Sequence, residues 1–248
     1  CERLVRNKVR KRFGGRLQYF VSGGAALNPE ISRFFRGLGV GILQGYGQTE
    51  ASPVISVNRP GSARAETVGP ALPNVEVRLT EEGELLVRGE NVMRGYWQDP
   101  KATEVTIRDG WLYTGDLAEI DPDGHVRIVG RLKDLIVNSG GDNIAPAPIE
   151  QEITLYPEVD QVIIVGDGKP SLSALICLNN DFETTDPDST LVNVLKRYNV
   201  NKPPLLQVRK GLLMSEPCTI ENGFLTPTQK IKRSLVLDHY QEAIDDLY

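Results

Sequence analysis

The spacing of apolar residues divides the chain into stretches of different period. Among residues 2–16, Leu4, Val5, Val9 and Phe13 recur at helical spacing between cations, which predicts a short amphipathic helix with those four turned inward. Residues 17–21 form an apolar run that stops at Ser22-Gly23-Gly24, predicting a buried strand that runs into a turn. Asn28 and Pro29 supply an N-cap and a first helical residue, Gly39 supplies a stop, and residues 40–43 predict a second short strand. This strand–loop–helix–strand order is the edge of an α/β layer. From about Val68 the period shortens to two. Residues 75–79 and 84–88 flank Glu81-Glu82-Gly83, and residues 112–120 and 125–129 flank Asp121-Pro122-Asp123-Gly124, so two hairpins and a small β-barrel or sandwich are expected.

Beyond Arg131 the pattern changes again. Strands are expected at 134–137, 161–165 and 172–178, helices at 148–155, 191–198 and 236–247, and an exposed loop at 179–189. These elements predict a compact α+β domain. The expected organisation is therefore α/β and α+β multidomain. Residues 1–130 form one part (an α/β edge over 1–67 and a β-rich portion over 68–130), and residues 131–248 form a second domain.

Composition removes several function classes. At 40% hydrophobic and 25% charged residues, the chain has the balance of an ordinary globular protein. No apolar run approaches the roughly 18 residues of a membrane-spanning helix. Cys1, Cys177 and Cys218 are scattered, which suits a reducing cytosol and argues against a disulfide framework or a zinc site. With His125 and His239 the only histidines, a His-based metal site or catalytic triad is not expected. The net charge of −5 gives no reason to expect nucleic-acid binding. The cations Arg3, Arg6, Lys8, Arg10, Lys11, Arg12 and Arg16 are read as the solvated face of the first helix, with anionic lipid or phosphate as the other reading. The chain starts without methionine, in the middle of a helical pattern, so it is expected to be cut from something longer.

Candidate chemistry lies in glycine-rich segments. In GYGQTE, Gly45 and Gly47 allow a sharp turn that presents the Tyr46 ring for stacking on a purine. Thr49 offers a hydroxyl to a phosphate oxygen, and Glu50 offers a hard carboxylate suited to Mg²⁺. Tyr113-Thr114-Gly115-Asp116 ends a strand with a carboxylate able to accept hydrogen bonds from two neighbouring ribose hydroxyls. Gly37-Leu38-Gly39 is no dinucleotide fingerprint, because Ile42 stands where the third glycine is needed, and no phosphate-loop motif of the GxxxxGK type is present. Asp121-Pro122-Asp123-Gly124 lacks the distal glutamate of a calcium loop and reads as a hairpin turn.

In order along the chain, Ser22-Gly23-Gly24-Ala25, GYGQTE, Tyr113-Thr114-Gly115-Asp116, GRLKDLIVNSGGDNIAPAPIE (130–150) and NGFLTPTQKIKR (222–233) resemble the adenylate-forming superfamily of acyl-CoA synthetases, luciferases and peptide-synthetase adenylation domains. The resemblance covers nearly the whole chain, and the Leu225-Thr226-Pro227-Thr228 form is that of long-chain fatty acyl-CoA synthetases. It implies the end of a large N-terminal AMP-binding domain followed by a mobile C-terminal domain. Gly23, Gly24 and Ala25 would line the adenine and the acyl pocket. Tyr46 and Thr49 would meet adenine and α-phosphate, Glu50 would hold magnesium, and Asp116 with Arg131 would hold the ribose. Lys133 would be the hinge, Gly140 and Gly141 would line the path of the CoA arm, and Lys230 would be the catalytic lysine.

The family's Ser/Thr/Gly-rich phosphate-binding loop has no match here, so this chain by itself is expected to be inactive. The implied activity of the parent is ATP-dependent conversion of a long-chain fatty acid to acyl-AMP and then acyl-CoA, in the cytoplasm or peripherally at a membrane. Its cofactors and partners would be ATP, AMP, Mg²⁺, the fatty acid and coenzyme A; a peripheral membrane contact and a homodimer stay open. A fatty acyl-AMP ligase, an aryl-CoA ligase and a non-catalytic nucleotide-binding module are the alternatives.

Overall fold

The computed structural model describes residues 2–248, with side chains from Val5 onward. The chain divides into two compact units, Cys1–Lys133 and Asp134–Tyr248.

The first unit opens with helix α1 (Glu2–Arg12), strand β1 (Tyr19–Ser22), helix α2 (Pro29–Gly37) and strand β2 (Gly41–Tyr46). The stop and start signals act as expected. Asn28 Oδ1 accepts from Glu30 N at 2.8 Å, and Gly39 takes the left-handed conformation (φ +81°) just beyond the last turn of α2. β1 and β2 run parallel, with Ser22 opposite Gln44, and the short β3 (Ser56–Val57) returns antiparallel to β2. Two expectations are corrected here. β1 is only half-buried and Val21 is 73% exposed, because β1 is the edge of this sheet. In α1, Val5 is 51% exposed and Phe13, just past its end, 42%. The helix is instead held by the Arg6 guanidinium, which donates to Gly37 O at 2.9 Å, while Phe13 meets the Phe20 ring edge-on. The side chain of Leu4 lies outside the described residues.

The β-rich portion contains β4 (Val75–Leu79), β5 (Glu84–Gly89), helix α3 (Pro100–Thr106), β6 (Ile107–Arg108), β7 (Trp111–Ile120) and β8 (Val126–Arg131). The five strands form one antiparallel sheet in which β7 pairs with β5, β6 and β8. Pro70 pairs with His125 and Ala71 with Ser56, so this sheet is joined to the first one and the whole curls around a core of Ala51, Ile55, Leu85, Val87, Leu112 and Val126. The hairpin at 121–124 closes as its sequence requires: Asp121 Oδ1 accepts from the backbone N–H groups of Asp123 and His125, and Gly124 sits at φ +81°.

The second unit comprises β9 (Ile136–Val137), β10 (Asn143–Ile144), α4 (Pro146–Ile153), β11 (Val159–Val165), β12 (Leu172–Leu178), α5 (Pro187–Asn199), β13 (Val208–Leu213), α6 (Arg233–His239) and α7 (Gln241–Asp245). β12 lies between antiparallel β11 and parallel β13. Val162, Ile164, Ala174 and Ile176 face α4 and α5, whereas Ile163, Val165, Leu175 and Cys177 face α6 and α7. Burial on both faces explains why these strands read as unbroken apolar runs. Two further boundaries are corrected. The expected loop at 179–189 ends early, because Asp186 caps α5 by accepting from Ser189 N at 3.0 Å. The single helix expected at 236–247 is two, breaking at Tyr240.

Candidate functional site

The carboxyl ends of adjacent parallel strands are where open α/β layers bind ligands, since both chains turn away there and leave backbone groups exposed. In the first unit those ends belong to β1 and β2, and they carry the Ser22-Gly23-Gly24-Ala25 and GYGQTE segments. Gly23 and Gly24 form the bend after β1, with Gly24 at φ +84°, and Ala25 is exposed beside them. A Cβ on Gly23 would lie 3.5 Å from Gly45 O, so the two loops are in direct proximity.

The GYGQTE loop folds back tightly. Gly45 pairs with Val57, Tyr46 with Ser56, and Thr49–Ala51 makes a single 3₁₀ turn. A Cβ at Gly47 would meet Pro53 O at 1.9 Å, a distance no side chain tolerates, so glycine is obligatory there for packing. The turn leaves the Thr49 residue exposed and the Glu50 residue half-buried.

The tyrosine of this loop reaches the third motif. Tyr46 donates its hydroxyl to Asp116 Oδ2 at 2.5 Å, across 70 residues of sequence. Arg131 Nε donates to Asp116 Oδ1 at 2.7 Å, because Asp116 and Arg131 are register partners on β7 and β8. Asp116 is 5% exposed, whereas the Arg131 side chain is about half-exposed. An ionised carboxylate has about four acceptor positions. Asp116 thus keeps acceptor capacity beyond these two bonds. Burial, followed by the neighbouring Asp116 charge, pushes the Tyr46 phenol well above the ordinary tyrosine range, so it stays a proton donor. Thr114 fixes the approach to Asp116 by donating to Leu85 O at 2.7 Å and accepting from Asp116 N at 3.1 Å.

Residues 91–96 were not legible as part of this site. Tyr96 donates to Glu50 Oε1 at 2.7 Å, Met93 N donates to Glu50 O at 2.8 Å, and Asn91 Nδ2 donates to Ala51 O and Val54 O. That hydrogen bond to the carboxylate raises the Tyr96 phenol. Nothing in local period marks this segment; its meaning is a set of long-range contacts. The Gln48 amide nitrogen was missed as well. It is buried without a partner, which leaves a donor for a bound group to satisfy.

Among the described residues no cluster of three or more His, Cys, Asp or Glu could hold a metal ion by protein ligands alone. A single carboxylate such as Glu50, with one oxygen engaged by Tyr96, instead fits a cation whose remaining ligands are phosphate oxygens and water. His125 is buried against Thr67 Oγ1 at 3.1 Å, and His239 packs edge-on against Phe224.

Lys133 is exposed in the 3₁₀ turn Leu132–Asp134. In the second unit, Gly140 and Gly141 form the exposed tip of the β9–β10 hairpin, where Asn138 Oδ1 accepts from the N–H groups of Gly140 and Asp142 at 2.9 Å each. Lys230 is also exposed. It lies on a tight turn in which Thr226 N donates to Lys230 O at 2.8 Å, Lys230 N donates to Thr226 Oγ1 at 3.0 Å, and Gln229 adopts φ +61°. Arg233 roots that turn by pairing with Glu150 at 2.7 Å.

Comparison with known proteins agrees along the length of the chain. Residues 1–97 match the AMP-binding enzyme family and residues 133–248 its C-terminal domain. The long-chain-fatty-acid–CoA ligase FadD15 of Mycobacterium bovis is 36% identical over 267 aligned residues, which take in 100% of this chain and 44% of FadD15. The Arabidopsis thaliana chloroplastic long-chain-fatty-acid–[acyl-carrier-protein] ligase AEE15 is 33% identical, with 92% of this chain and 35% of its own covered. The crystal structure of ATP-bound MatB from Rhodopseudomonas palustris superposes with a TM-score of 0.77 at 28% identity, covering 94% of this chain and 47% of MatB. The chain spans less than half the length of these relatives. From the ordered motifs, the fold and these matches together, the chain belongs to the adenylate-forming superfamily of AMP-binding enzymes, near the fatty acyl-CoA synthetases.

Proposed function

We propose that this chain forms the C-terminal portion of an ATP-dependent long-chain fatty acid–CoA ligase. The observation that carries the reading is the Tyr46–Asp116–Arg131 cluster, which draws two motifs of the proposed nucleotide site into one place. In the reaction, the fatty acid carboxylate attacks the α-phosphorus of ATP and releases pyrophosphate. The CoA thiol then attacks the acyl carbonyl of acyl-AMP, and AMP departs. Activation replaces a poor leaving group by a good one, so no covalent enzyme intermediate is needed.

The residues divide the work. The ring of Tyr46 stacks on adenine while its hydroxyl holds Asp116 in place; Gly23, Gly24 and Ala25 line the nucleotide and acyl side. Asp116 accepts from the ribose hydroxyls beside Arg131. Thr49 donates to the α-phosphate. Glu50, oriented by Tyr96, would hold Mg²⁺, which when bound supplies positive charge to the phosphates. Lys230 stabilises the charge that builds on carboxylate and α-phosphate during in-line attack. Gly140 and Gly141 leave room for the CoA arm, and the turn at Lys133 absorbs the backbone rotation between the half-reactions.

The test is a pair of assays on the purified full-length protein: ATP–pyrophosphate exchange across fatty acids of increasing length, and thioester formation with CoA. Exchange that requires a long-chain acid, followed by acyl-CoA, is the expected result. The likeness to AEE15 favours one second reading, transfer of the acyl group to a carrier protein. Exchange without acyl-CoA, and with acylation of a carrier protein, would replace the first reading by that one. An aryl-acid preference would indicate an aryl-CoA ligase, and absence of exchange a non-catalytic module.

A further inference from the structure

The turn that carries Lys230 is fastened to the sheet of the second unit through Arg233. Its two arms bond to each other: Leu225 bridges Ile231, Thr226 N donates to Lys230 O at 2.8 Å, and Lys232 N donates to Phe224 O at 2.8 Å. No hydrogen bond or ion pair holds the Lys230 ammonium among the described residues, so the main chain of the turn sets where it points. The second arm runs directly into Arg233, the first residue of α6. β11 is an edge strand of its sheet, and at Ile164 both of its backbone groups are taken by side chains. Ile164 N donates to Glu150 Oε1 at 2.8 Å, and the Arg233 guanidinium donates to Ile164 O and, at 2.7 Å, to the same Glu150 oxygen.

Local preferences run against arginine at this position. The first turn of a helix disfavours cations, Lys232 gives α6 no side-chain cap, and the fully buried Val236 already docks the helix. Stability does not account for the pair either. Its side chains are only 18% and 20% exposed, and desolvating two charges offsets much of their attraction. What a guanidinium supplies beyond charge is direction, because a planar fork on two acceptors fixes where the chain leaves it. Here it fixes the main chain three residues from Lys230. We propose that Arg233, held by Glu150 and Ile164 O, is a positioning residue for adenylation, setting the base of the turn so that Lys230 meets the charge that builds on carboxylate and α-phosphate. This assignment rests on the ligase reading and on the place of Lys230 in it. Its contacts all lie inside the second unit, so none of them depends on which surfaces a longer protein covers.

The experiment uses the purified full-length protein. Arg233→Met should lower kcat of ATP–pyrophosphate exchange about 100-fold, the scale of a displacement of about 1 Å at a reacting centre. KM for ATP should change little, and thiolysis of supplied acyl-AMP should stay near that of the unaltered protein. In a Lys230→Ala background the same change should cost less than about threefold, because the group through which Arg233 acts is already gone. A merely structural role would lower both half-reactions and would add its loss in that background. Arg233→Lys keeps the charge opposite Glu150 without the fork and should recover part of the lost exchange. Glu150→Gln keeps an acceptor for Ile164 N but weakens the bond from Arg233, and should lower exchange alone by roughly tenfold; it carries the test if circular dichroism shows Arg233→Met unfolded. Unchanged exchange in these variants, equal losses in both half-reactions, or full additivity with Lys230→Ala would overturn the assignment while the unaltered protein still makes acyl-CoA. Absence of exchange in the unaltered protein would instead overturn the ligase reading, and this assignment with it.

Discussion

At the scale of single residues, the candidate site is a small set of polar side chains held by one another. Lys230 has the sharpest test. In the full-length protein, Lys230→Ala should lower acid-dependent pyrophosphate exchange by roughly 10²–10³-fold, the cost of losing one preorganised charge. Thiolysis of supplied acyl-AMP should fall much less, and equal losses in both assays would remove the lysine from the adenylation step. Tyr46→Phe deletes the 2.5 Å bond to the buried Asp116 carboxylate. It should cost about 1.5–3 kcal/mol in urea unfolding, as for other hydrogen bonds to a charged group. The same residue gives a pH signature. Its phenol is raised in the folded state by burial and by Asp116, so its contribution is complete below the unfolded tyrosine pKa. As pH rises beyond that value toward the raised one, stability should decline, and Tyr46→Phe should flatten this part of the alkaline slope. The identities of Tyr46, Asp116 and Arg131 could be picked from the sequence; their mutual bonding could not, because it depends on a register between β7 and β8 and on a contact between two sheets.

At the scale of elements, glycine positions carry the most specific consequences. Gly47→Ala would force a methyl group into Pro53 O, a backbone atom that cannot rotate away. Overpacking usually costs 1–3 kcal/mol, and about 3 kcal/mol or more is expected here. Differential scanning calorimetry should show the first unit melting earlier, with ATP binding weakened in parallel; an unchanged melting profile would mean that the loop has another conformation. Strong local signals marked elements well. The hairpins of β4–β5 and β7–β8, the strand β12 and the helix α2 lie close to where period and capping residues put them. Strand β13 and helix α3 escaped notice, since Val208–Leu213 carries cations within its apolar run and Pro100–Thr106 is a short helix of weak period. The break at Tyr240 was invisible for a related reason: the apolar spacing continues through it, and the contact that holds Tyr240, its hydroxyl against Ser215, is long-range.

At the scale of the whole molecule, the two units meet in sequence at a short charged turn, Leu132–Asp134. Proline at Lys133 would fix φ and remove one N–H there. If this turn absorbs the rotation between half-reactions, Lys133→Pro should impair one of pyrophosphate exchange and thioester formation while sparing the other. Two half-reactions at unchanged rates would place the pivot elsewhere. No helix among the described residues is long and apolar enough to cross a membrane.

The sequence by itself determined the local units and the chemistry they could carry. Glycines with required turns, capping residues, two-residue alternation and the ordered motifs are encoded within a few neighbours, and the family follows from their order. The tertiary structure decided what depends on distant partners. It set the Tyr46–Asp116–Arg131 bonding, the grip of Asn91, Met93 and Tyr96 on the GYGQTE loop, and the exposure of Val5, Phe13 and Val21 against an apolar pattern that promised burial. Periodicity states which residues share a face; whether anything packs against that face is a property of the assembled chain.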